Sequence, residues 1–141
     1  MTTAGQEREQ VAYHEAGHAV IAHSFRHNIT KLDLDGCTVE IAPTRQAAEE
    51  TIVVSLSGGI AARRFSGNGA DDGGLGDDKY VRYLALRLSE GRESEATALV
   101  DWLRCRATTA VDRHWPQIEE VAGVLLDKKE LSGAEIKEVL R

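Results

Sequence analysis

The chain has 141 residues, of which 42% are hydrophobic and 28% charged, and its formal net charge is −6. That length and apolar content suit one domain, residues 1–141, around a single buried core, and they exclude a disordered chain. An acidic balance with no dense block of Lys and Arg gives counterion release nothing to act on, so nucleic acid is excluded as a partner.

Residues 7–25 read as a helix, because Val11, His14/Glu15, His18 and Ile21/Ala22 recur at spacings of three and four. Residues 29–34 and 37–41 then alternate around Asp35-Gly36, a strong tight-turn signal, and predict a short hairpin. Pro43 closes it, and Thr44 is placed to cap a second helix over 45–65, with Ile52, Val53, Leu56, Ile60 and Ala61 on its apolar face. Gly58 and Gly59 each cost that helix roughly 1 kcal/mol relative to alanine. A close neighbour is therefore expected where their side chains are missing.

The stretch 66–76 is built from Gly, Asn and Asp and predicts a loop, after which a third helix begins near Asp77 or Asp78. Val81, Leu84, Ala85 and Leu88 form its apolar face. Helical pattern continues over 93–115, and Pro116 restarts a helix that runs to about 127. Ser132-Gly133-Ala134-Glu135 matches a capping box and opens a short last helix through Leu140. Trp102 and Trp115, with Leu99 and Leu103, read as helix-packing core. The fold class is mainly α with one small β-hairpin.

Cys37 and Cys105 lie far apart and form no CxxC pattern, so no disulfide framework is expected and a reducing cytoplasm fits. The N-terminal residues are polar without an apolar signal core. No apolar run approaches the roughly 18 to 20 residues that span a bilayer, so no transmembrane segment is expected.

The chemistry is concentrated in His14-Glu15-Ala16-Gly17-His18, an HExxH motif on the first predicted helix. Residues four apart share a helix face, so both imidazoles can reach one ion, here Zn2+. Glu15 points about a quarter turn away. It can take a proton from a water whose pKa the ion lowers and return it to the leaving amine, as general base and then acid. Random order yields this motif in a chain of this make-up roughly two times in a hundred, and its helical placement lowers that further.

A catalytic zinc takes three protein ligands and a water. The metzincin spacing would put Gly at position 21 and His at 24, where this chain has Ile21 and Ser24, so that class is excluded. His23 and His27 complete no known spacing and read as helix-end or surface histidines. Glu49 or Glu50 at the start of the second helix, or Asp77 or Asp78 at the start of the third, could supply the third ligand. Spacing alone leaves all four open.

The segments Tyr13-His14-Glu15-Ala16-Gly17-His18-Ala19-Val20, then Leu56-Ser57-Gly58-Gly59-Ile60-Ala61-Ala62 and Gly76-Asp77-Asp78 resemble the peptidase domain of the FtsH-type AAA zinc metalloprotease family. A weaker match runs through Ile118–Ala122 and Leu131–Ile136. In order and approximate spacing these segments span nearly the whole chain. The resemblance implies a helical, zincin-like fold and a zinc site between the first and third helices, with Asp78 as third ligand and Asp77 at the family's Asn position.

Family members thread substrates with an ATPase module, and no Walker motif is present here. The expected function is thus zinc-dependent endopeptidase action on peptides or unfolded protein segments, with an ATPase in trans and homo-oligomers left open as partners. The alternative is a degenerate relative that binds zinc or peptide without turnover, as an adaptor or regulator.

Overall fold

The computed structural model of the chain describes residues 3–67 and 75–141, with side chains from residue 78 onward in the second stretch. Most of the predicted loop at 66–76 lies outside the described residues. Those residues form a mainly helical domain: α1 (Ala4–Ser24), β1 (Asn28–Asp33), β2 (Gly36–Glu40), α2 (Arg45–Ser66), α3 (Leu75–Leu88), α4 (Glu93–Arg113), α5 (Trp115–Lys128), β3 (Glu130–Ser132) and α6 (Gly133–Val139).

Helix α1 starts earlier than its apolar pattern because Thr3 and Gln6 form a capping box, each side chain bonding the other's backbone N–H. From Glu15 to Ala22 every residue is buried, so this half of α1 is enclosed on all sides. Small residues make that enclosure possible. A Cβ on Gly17 would lie 2.8 Å from both the Ala61 Cβ and the Ser57 carbonyl oxygen, so only glycine lets α1 and α2 cross this closely. Helix α2 begins where expected, with Thr44 Oγ1 accepting from the Ala47 amide at 3.0 Å.

Beyond α1 the chain turns through Arg26, whose φ of 63° lies in the left-handed region. A non-glycine residue there costs about 1–2 kcal/mol, and the turn is closed by the His27 amide donating to the Ala22 carbonyl at 3.0 Å. The hairpin follows as predicted. Its turn is held by the Asp33 carboxylate, which accepts from the amides of Asp35 and Gly36 at 2.8 and 3.0 Å. Those bonds, the Asp35 amide foremost, and Lys31 hold the Asp33 carboxyl below its ordinary range.

The hairpin gains a strand that its own sequence does not announce. β3 pairs antiparallel with β1, aligning Leu131 with Leu32, and the sheet order is β2-β1-β3. A three-residue strand has too little alternation to read locally. Leu131 and Leu32 are fully buried, and a Cβ on Gly133 would run into the Ile29 carbonyl oxygen. This order leaves β2 as an edge strand.

The core is closed by Ile21, Ile52, Leu103, Ile118, Leu125 and Ile136, all fully buried. Trp102 departs from the sequence reading, being 53% exposed. The buried stripe of α4 runs through Leu103, Ala107 and Val111, so Trp102, one residue off that stripe, faces outward. Trp115 does pack, stacking on Tyr13 at 5.4 Å between ring centroids, with the Arg64 guanidinium 4.3 Å from its own centroid.

Candidate metal centre

His14 and His18 stand one turn apart on α1, and their Nε2 atoms are 3.1 Å from each other. The His18 ring is oriented by its other nitrogen, which lies 2.8 Å from the Val54 carbonyl oxygen on α2. A carbonyl only accepts, so Nδ1 must carry a proton, which in the neutral ring leaves the lone pair on Nε2. Space for this ring comes from Gly58. A Cβ there would lie 2.9 Å from His18 Nδ1 and nearer still to Cε1 and Nε2. The close neighbour expected at Gly58 from its helix cost is thus the imidazole itself.

Ligands of one tetrahedral zinc at Zn–N distances of about 2.0–2.1 Å stand roughly 3.3 Å apart. The observed nitrogen separation fits that requirement. Glu15 is 7% exposed, and its Oε1 is 3.7 Å from His14 Nε2. His14, Glu15 and His18 offer ligand atoms all within 4.8 Å of one another, the metal-capable group found among the described residues.

The carboxylates that spacing left open are separated by their partners. Glu49 pairs with Arg45 at 3.5 Å. Glu50 accepts from His27 Nε2 at 2.9 Å and from the Gln46 side-chain amide at 3.2 Å, so both its oxygens are engaged. Asp78 lies in the first turn of α3 with an exposed side chain, and the His14–Glu15–His18 group does not include it. The Asp77 side chain falls outside the described residues. Two residues beyond Asp78, Tyr80 lines the same cleft as Glu15 and His18, so this end of α3 borders the site.

That cleft has a volume of about 330 Å³ and is walled by α1, α2, β2 and Tyr80. Its strand side presents Cys37, Val39 and Ile41. Burial, with the Glu15 carboxylate adding to it, pushes the Cys37 thiol up to about 12, so it remains protonated at neutral pH. His27, read from the sequence as a helix-end or surface histidine, does follow the end of α1, and it lines the cleft as well. Nothing in its spacing marks it, because the turn at Arg26 and the partner on α2 are what direct it there. Cys37 and Cys105 are both free thiols.

No family model matches the chain, and no curated protein matches it. No helix among the described residues is long and apolar enough to cross a membrane.

Proposed function

We propose that the chain is a zinc-dependent endopeptidase of the FtsH type, acting on peptides and unfolded protein segments. The observation that carries this reading is the pair of imidazole Nε2 atoms 3.1 Å apart, one of them aimed by the Val54 carbonyl, beside a buried glutamate. His14 and His18 would hold the ion, with Asp78 as third ligand on the strength of the family resemblance and of the place of α3 beside the cleft. Bound there, zinc would supply Lewis acidity, polarising a scissile carbonyl and lowering the pKa of a water.

Glu15 would act as general base toward an attacking water, and then as general acid, handing the proton to the amide nitrogen as the carbon–nitrogen bond breaks. Among the described residues β2 is an edge strand, whose main-chain groups would be offered to an extended peptide, and Val39, Ile41 and Tyr80 form an apolar wall for its side chains. A substrate read along its main chain must be extended, so folded proteins would first need unfolding by an ATPase.

A second reading, zinc or peptide binding without turnover, is favoured by the exposure of Asp78 outside the clustered ligands. Two measurements separate the two. Purified protein should carry about one zinc per chain, and should cleave unfolded casein. Glu15→Gln should keep the zinc and lose the cleavage. Equal turnover by both forms would remove Glu15 from its role, and zinc uptake without cleavage by the parent would favour the binding protein.

A further inference from the structure

We propose that His27, held by Glu50, is a substrate-binding residue of the cleft that hydrogen-bonds the main chain of a bound peptide, with Glu50 as its positioning residue. The inference rests on the peptidase reading and adds to it a contact made away from the ion.

Three observations converge on this ring. His27 lines the same cleft as Glu15 and His18, although it lies beyond the end of α1. It comes there only because Arg26 adopts the left-handed conformation and the His27 amide closes back on the Ala22 carbonyl. Backbone strain of this kind persists where the surrounding structure enforces it.

The ring is also immobilised. Its Nε2–H donates to Glu50 Oε1 at 2.9 Å, and Phe25 packs against it with centroids 5.9 Å apart. Glu50 is itself fixed, since Gln46 donates to its second oxygen. The two side chains are 9% and 19% exposed. A largely buried carboxylate–imidazole pair adds little net stability, because desolvation offsets most of the attraction. Folding stability alone therefore gives weak reason to keep this pair in the wall of a cleft.

What the pair provides is a rigid hydrogen-bonding group. With Nε2 committed to Glu50, Nδ1 is the nitrogen left for a ligand. It accepts from a peptide N–H when the ring is neutral and donates to a peptide carbonyl when the ring is charged. Either bond reads main chain, which suits a cleft bordered by a strand edge.

The test uses zinc-loaded protein and a fluorescent peptide hydroxamate, titrated by anisotropy, with zinc content and melting temperature measured alongside. His27→Ala should weaken binding threefold to tenfold, the loss of about one net hydrogen bond, while zinc content stays at the parent value. Glu50→Gln should give a smaller loss, because its amide oxygen still accepts from Nε2. The imidazole resonances of His27 in the parent should shift on adding the hydroxamate. Parent-like affinity in both variants with no such shift, and only a lower melting temperature, would reduce the pair to a tie between the α1–β1 turn and α2. A parent that takes up no zinc or fails to bind the hydroxamate would instead overturn the peptidase reading, and this inference with it.

Discussion

Gly58→Ala and Gly123→Ala are the same chemical change on two helices, and the structure assigns them opposite signs. Alanine in a helix is favoured over glycine by roughly 1 kcal/mol. Gly123 lies on the exposed face of α5, where an added Cβ meets nothing within 4 Å, so that gain should appear undiminished. It corresponds to a rise in melting temperature of about 3–5 °C for a domain of this size. At Gly58 the added carbon would overlap the His18 ring, 2.9 Å from Nδ1 and closer to Nε2.

The ring must then move. Overpacking of this kind costs about 1–3 kcal/mol. Displacing Nδ1 from the Val54 carbonyl leaves a buried N–H donor unpaired, at about 1–3 kcal/mol more. Together these exceed the propensity gain, so Gly58→Ala should be destabilised by at least about 1 kcal/mol. Zinc affinity should fall about tenfold to a hundredfold, the usual consequence of losing the group that aims a metal-binding histidine. Thermal melts monitored by circular dichroism and zinc titration against a competing chelator would measure both. Parent-like zinc affinity in Gly58→Ala would refute the claim that this glycine preserves the orientation of His18.

Asp78→Ala should lower zinc affinity much more than Asp77→Ala or Glu49→Ala, and the reverse ranking would show that the family correspondence at Gly76-Asp77-Asp78 is misplaced. Cys105 is exposed whereas the Cys37 thiol is pushed up to about 12, so iodoacetamide at pH 8 should modify Cys105 first. Glu15→Gln should speed modification of Cys37 by removing a negative charge beside it, and equal rates at the two cysteines in the parent would contradict the burial of Cys37. Asp33 and Glu135 have carboxyls held below their ordinary values of 3.8 and 4.5, chiefly by backbone amides of Asp35 and Ser132 respectively. The stability they add is complete above those ordinary values and is lost as pH falls through the lower folded ones. Asp33→Asn with Glu135→Gln should therefore flatten the acid limb of stability against pH, and an unchanged acid limb would show that neither carboxylate carries it.

What could be read along the chain was governed by groups within about a turn of one another. Thr44 caps α2 through an amide three residues on, and Ser132 with Glu135 closes the box that opens α6. The 3.6-residue period puts His14 and His18 on one face of α1 whatever else the chain does. Even Gly58 announced a close neighbour through its cost to the helix, without saying which.

The identity of that neighbour was decided only when α1 and α2 crossed. The Val54 carbonyl that aims His18 is 36 residues away in sequence, and Glu50 is 23 residues from His27. β3 has no strand signal of its own until Leu131 meets Leu32 across the sheet. Trp102 and Leu103 are neighbours in the chain, yet the packing of α4 buries one and exposes the other. Helix caps, turns and the motif's spacing are set by short-range hydrogen bonding and period. The aim of an imidazole, the partner of a carboxylate and the face a tryptophan presents depend on contacts that exist only after the chain has closed on itself.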